Sequence, residues 1–219
     1  MTEPLRRLPV YLVLDCSGSM SGEPIEAVRQ GVRALLSDLK SDPQALETVY
    51  LSVITFAGSA VQACPLTALD MFQEPILTAG GSTAFGEALR LVAQCVDTEV
   101  RKPSTAQGVK GDWKPLIFLM TDGIPTDNWE PAADSLRNRH LGQIIACAAG
   151  DGADPTVLQH LTTNGDGSMV VQLKSLRPDA LKAFLKWVSG SVKTTSQGLA
   201  GGTPSAGLPP PPPGVVVVP

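Results

Sequence analysis

Histidine is nearly missing from this chain, with two residues in 219, and the four cysteines stand far apart at positions 16, 64, 95 and 147. No C-x-x-C pair and no close histidine pair occurs, so the usual zinc spacings are excluded. Four scattered cysteines in a chain of this size fit a reduced cytosolic protein better than a disulfide framework. No apolar run approaches the roughly 20 residues that span a bilayer. The first apolar stretch ends early in Asp15, which does not read as a signal peptide. G-x-S-x-G, P-loop and dinucleotide fingerprints are missing too. His140 and His160 lie after Pro131 and Pro155, where a solvated helix face accounts for them. Strong charge of either sign is also lacking. A net charge of −4 points to neither nucleic acid nor an anionic membrane.

What is present is an apolar share of 43% against 17% charged residues, enough for a sizeable single core. Strand and helix patterns alternate along it. Residues 8–14 read as a strand. Residues 24–40 carry Ile25, Val28, Val32, Leu35, Leu36 and Leu39 at helical spacing. Residues 48–56 read as a second strand and 60–66 as an edge strand ended by Pro65. Residues 86–100 are helical by pattern, and 102–114 read as a surface loop. The run 115–121 is apolar throughout, as in a central parallel strand. Helix 131–139, strand 143–149, helix 155–161, strand 168–173 and helix 178–189 follow. The expected fold is α/β and doubly wound: a mostly parallel sheet with one antiparallel edge strand and helices on both faces. Residues 1–190 form the domain. Residues 191–219, rich in Ser, Thr, Gly and then Pro, read as a disordered, flexible tail.

Three oxygen-rich clusters stand out. Asp15-Cys16-Ser17-Gly18-Ser19 follows the first strand, at the carboxyl edge where open α/β sheets hold ligands. Gly80-Gly81-Ser82-Thr83-Ala84-Phe85-Gly86-Glu87 leads into a helix, and taken alone its hydroxyls read first as an ordinary helix cap. Thr121-Asp122-Gly123 follows the buried strand and could alone be a turn. Together they offer hard oxygen donors, suited to Mg²⁺ or Mn²⁺. Cys16 reads as a packing residue within the first loop.

The clusters and their order resemble the von Willebrand factor A domain and its metal-ion-dependent adhesion site over residues 8–190. The stretches Leu14–Ile25, Gly111-Asp112-Trp113-Lys114-Pro115 and Phe118–Gly123 are more similar still to the tellurite-resistance TerY family. The resemblance implies that Ser17, Ser19 and Thr83 bind the cation through their hydroxyls. Asp15 and Asp122 then act largely through water, or one of them directly. Thr83 matches by lying three residues before Gly86. Ser82 offers a second hydroxyl, and the choice between the two stays open.

The implied function is a non-enzymatic, cytoplasmic docking module. A bound Mg²⁺ receives an Asp or Glu of a protein partner, with a kinase or phosphatase of a stress-response operon as a candidate. The rival is a haloacid-dehalogenase-type phosphatase or phosphotransferase with Asp15 as nucleophile. That chemistry wants a second Asp where Ser17 stands, and a lysine near the clusters. Trp113 and Trp129 read either as a partner rim or as covers of the sheet, and Trp187 as core.

Overall fold

The computed structural model describes residues 6–104, 110–139, 141–163, 167–202 and 207–219. Seven strands form one sheet: β1 (Leu8–Asp15), β2 (Val49–Phe56), β3 (Ala60–Ala68), β4 (Leu116–Thr121), β5 (Ile144–Ala149), β6 (Met169–Leu173) and β7 (Val215–Val218). Among the described residues, six α-helices accompany them: α1 (Glu23–Lys40), α2 (Pro43–Thr48), α3 (Phe85–Glu99), α4 (Glu130–Arg137), α5 (Pro155–Thr162) and α6 (Pro178–Ala200). The strand order is β3-β2-β1-β4-β5-β6-β7. β1 pairs in parallel with both β2 and β4, so the winding direction reverses beside β1. That reversal opens a crevice at the carboxyl ends of β1 and β4.

Alternation along β1 divides the core. Leu8, Val10, Leu12 and Leu14 pack with α1 and α6 on one face. Tyr11 and Val13 pack with α3, α4 and α5 on the other. With both faces covered, β4 and β5 are buried throughout, the reason their sequences are continuous apolar runs. The expected antiparallel edge is β3. It continues past Pro65 to Ala68, because an edge strand tolerates a missing outward N–H. The helix α2 is an addition. Six residues are too few to show a period, and it starts where Asp42 accepts a hydrogen bond from Ala45 N at 2.8 Å.

The expected flexible tail from residue 191 requires correction at residues 191–200 and 215–218, while residues 203–206 of that tail lie outside the described residues. The closing helix continues to Ala200, although Ser, Thr and Gly are poor helix formers. Tertiary partners override that propensity. Ser196 Oγ lies 2.7 Å from Thr48 Oγ1, Gln197 donates to Asp42, and Lys193 Nζ donates to Asp38 at 2.7 Å. Ser191 and Thr195 donate their hydroxyls to carbonyls four residues back. Val215–Val218 then joins the sheet as a second antiparallel edge. His140 and residues 105–109 of the expected loop lie outside the described residues. Among the described residues no helix is long and apolar enough to cross a membrane.

Asp38 ties α1 to α6 through Lys193 and Ser189, and these hydrogen bonds hold its carboxyl below the usual range. Its stabilising contribution is therefore present above the unfolded-state value and lost as pH falls through the folded one. Asp38 is partly exposed, so solvent screens the pair. Asp38→Ala is expected to cost about 1 kcal/mol, a fall of about 2–4 °C in thermal midpoint at pH 7. The deficit should shrink as melts are taken below about pH 4, the unfolded-state range of an aspartate.

Candidate metal centre

Asp15 ends β1 in full burial. Its Oδ1 accepts from Ser17 N at 2.8 Å and its Oδ2 from Thr121 Oγ1 at 2.6 Å. The first bond curls the loop so that Ser17 and Ser19 point the same way, with Oγ atoms 3.0 Å apart. Ser19 Oγ donates to Asp122 Oδ1 at 2.8 Å. One hydroxyl chain therefore joins the ends of the two adjacent strands β1 and β4. Asp122 Oδ2 is buried and has no hydrogen-bond partner among the described residues.

The second cluster closes the arrangement. Gly18 N donates to Gly81 O at 2.9 Å and Gly80 N to Cys16 O at 2.8 Å. Gly81 has φ +85°, a left-handed conformation that favours glycine. Thr83 is buried and Ser82 exposed. A Cβ placed on Gly123 would sit 3.1 Å from Thr83 Oγ1, whereas Ser82 Oγ lies 3.8 Å from the corresponding point on Gly58. Thr83, not Ser82, thus faces the Asp122 loop. The five residues Asp15, Ser17, Ser19, Thr83 and Asp122 all lie at this crevice.

The cap reading of the second cluster fails for an instructive reason. Ala84 is the N-cap of α3 and makes no side-chain cap bond. The open amides of the first turn are met by Asp127, which accepts from Gly86 N at 2.8 Å and Glu87 N at 2.9 Å. Thr126 joins in, with its amide donating to Thr83 O and its hydroxyl accepting from Thr83 N at 3.2 Å. The loop after β4 thereby clamps Thr83 beside Asp122 and frees its hydroxyl from capping. Thr121, Thr126 and Asp127 are the residues that the sequence reading left without a role. The contacts that give them these roles, to Asp15, Thr83, Gly86 and Glu87, span 40 or more positions, beyond any local pattern. Asp127→Ala is expected to lower stability by about 1–2 kcal/mol. Divalent-cation affinity should fall about 10-fold, as read by calorimetric titration, with Asp127→Asn in between.

Burial pushes the Asp122 carboxyl above its usual range; the Asp15 charge adds to this and the Ser19 hydrogen bond opposes it. Burial likewise pushes the Cys16 thiol up to about 12. Cys16 packs into the core and is a filler, not a nucleophile. Among the described residues no three His, Cys, Asp or Glu side chains converge. The centre has two carboxylates and three hydroxyls, all hard oxygens, with one buried carboxylate oxygen unpaired. That chemistry fits an oxygen-coordinated divalent cation.

The tryptophans take structural places. Trp113 donates its amide to Arg7 O and lies under the Arg6 guanidinium, 3.7 Å from the ring centroid, at the amino end of the sheet. Trp129 stacks edgewise on Phe85 and His160, and Trp187 is buried as expected.

The von Willebrand factor type A domain family model matches residues 10–185. Human inter-alpha-trypsin inhibitor heavy chain H6 is 28% identical over 174 residues, 72% of this chain but 12% of that protein. Among solved structures, proximal thread matrix protein 1 from the mussel byssus with a zinc-occupied MIDAS motif has a TM-score of 0.61 at 22% identity. The match covers 84% of this chain and 48% of that one. A von Willebrand factor type A protein from Catenulispora acidiphila has a TM-score of 0.64 at 16% identity, covering 86% and 43%.

Proposed function

This chain belongs to the von Willebrand factor type A domain family, and from that premise we propose that its crevice holds a divalent cation, Mg²⁺ or Mn²⁺, onto which a partner protein docks an Asp or Glu side chain. The observation that carries this reading is the buried, unpaired Asp122 Oδ2 beside the Ser17–Ser19 hydroxyl chain. Ser17, Ser19 and Thr83 would hold the ion, with Asp15 and Asp122 behind them. Bound there, the ion supplies an electrophilic centre that neutral hydroxyls do not quench. The zinc-occupied motif of the mussel protein supports a divalent ion at this edge of the fold. Asp15 orients the rest: its hydrogen bonds fix the Ser17 loop and Thr121. Exposed Ile124, two residues beyond Asp122, gives a partner apolar footing beside its carboxylate, and a cleft of about 340 Å³ lined by Ala57, Ser59, Thr78 and Gly80, mixed polar and apolar, adjoins the first loop.

A non-enzymatic role is part of the proposal. An Asp15 nucleophile would need a free oxygen facing solvent, but both oxygens accept protein hydrogen bonds and the residue is fully buried. The TerY-like stretches support a place in a tellurite or chemical-stress response, with a kinase or phosphatase as partner. The four free thiols support a cytoplasmic setting. An affinity pull-down with wild type and Asp15→Ala/Ser17→Ala, with Mg²⁺ or with EDTA, tests the docking. Partners carried by the site should be lost both from the variant and on chelation. Identical partner sets in all four samples would end the proposal.

A further inference from the structure

The final strand brings its own recognition chemistry. Leu208 packs against the core beneath α6. Trp187 Nε1 on α6 donates to Pro209 O at 2.9 Å. After the five prolines and Gly214, Val215 to Val218 pair antiparallel with β6, from Leu173↔Val215 to Val170↔Val218. Gln159 Nε2 on α5 donates to Pro219 O at 2.8 Å. A tryptophan donor to a proline-run carbonyl and a strand added to a sheet edge are two common modes of peptide recognition. Here they act in series on one segment.

That segment is held lightly for a strand of the sheet. Its ladder has four residues, and only Val215 is buried, with Val216 and Val217 at 45% and 44% exposure. Val218 reaches the opposite core face from Val215. The prolines have no N–H to donate. Segments with few buried contacts open well below the cost of global unfolding, and opening this one would bare the β6 edge and Trp187.

We propose that the groove between α6 and the β6 edge is a peptide-binding site, separate from the metal crevice, filled in the structure by the chain's own residues 208–219. When that segment leaves, the groove accepts the same segment from a second copy, an exchange that links copies through their final strands. Within one chain the tethered segment has the advantage of effective concentration, so the isolated domain keeps its groove filled.

The probe is a fluorescently labelled synthetic peptide of residues 207–219, titrated into the full chain and into full-length Val215→Asp/Val218→Asp, whose own strand cannot pack. The released variant should bind the peptide saturably and at least about 10-fold more tightly than wild type. Adding Trp187→Phe should weaken that binding. Equal binding by wild type and variant, or none by a variant with a wild-type circular dichroism spectrum, would overturn the proposal. Should the double variant not fold, hydrogen exchange on the wild-type chain decides. Amides of residues 215–218 should exchange at least about 10-fold faster than those of β5, and equal protection would overturn it.

Discussion

Asp122→Asn is expected to abolish divalent-cation binding while leaving the cation-free domain at least as stable as wild type. Asp122 is 4% exposed, and its Oδ2 has no hydrogen-bond partner among the described residues. A buried carboxylate in that position destabilises the fold by its own desolvation and by repulsion from Asp15. Asparagine keeps an oxygen for the Ser19 hydroxyl and removes the charge. In EDTA the variant should melt about 2–4 °C higher, the equivalent of about 1 kcal/mol in a domain of this size. The sign with pH follows from the raised carboxyl. Folding takes up a proton between the unfolded and folded values, so the wild-type penalty is present above the folded value and disappears on acidification. The variant's advantage should therefore shrink toward pH 4. With Mg²⁺ the order reverses, since only wild type gains stability from the ion. The loss of affinity should be about 100-fold, the upper range for groups that position metal ligands, which abolishes binding at millimolar Mg²⁺ if the wild-type site binds in the ordinary range. A variant that bound Mg²⁺ like wild type would remove Asp122 from the centre.

Arg7→Ala is the substitution expected to cost most stability. Arg7 Nε donates to Asp112 Oδ1 at 2.8 Å, and its Nη2 reaches both Asp112 Oδ2 and Glu99 O. The Asp112 side chain is only 2% exposed and also accepts from Arg101 N at 2.7 Å. Removing the guanidinium strands a buried carboxylate, at about 3–5 kcal/mol. That is a large part of the roughly 5–15 kcal/mol holding an ordinary domain together. The thermal midpoint should drop by about 6–20 °C. Arg7→Lys should fall between, because an ammonium keeps the charge but not the fork. Mg²⁺ should still raise the midpoint of whatever fraction folds, because Arg7 and Asp112 stand at the amino end of the strands, away from the metal centre. Denaturant melts of the three proteins, with and without Mg²⁺, measure both effects. A loss under 1 kcal/mol for Arg7→Ala would contradict the role given to this pair.

The sheet was legible wherever burial on both faces left a continuous apolar run, as in β1, β4 and β5. Asp15 and Asp122 were legible for the same reason, since each is the first carboxylate after such a run. The choice of Thr83 over Ser82 was not. It depends on the left-handed Gly81 and on Asp127, which takes over the capping that these hydroxyls would otherwise perform. Asp112 and Trp113 were read as part of a family-resembling stretch, yet they secure the far end of the sheet through Arg7 and Arg6. Residues 191–200 and 215–218 were misread because composition reports local propensity alone. Asp38, Thr48 and Asp42 hold the first segment helical, and the β6 edge orders the second.

The most direct measurement is an anomalous difference map from crystals soaked in Mn²⁺. The expected result is one strong peak bounded by the Ser17, Ser19 and Thr83 hydroxyls and missing from crystals of Asp122→Asn. A map with no peak in that crevice, or with manganese bound only elsewhere, would contradict the assignment of these five residues to a cation.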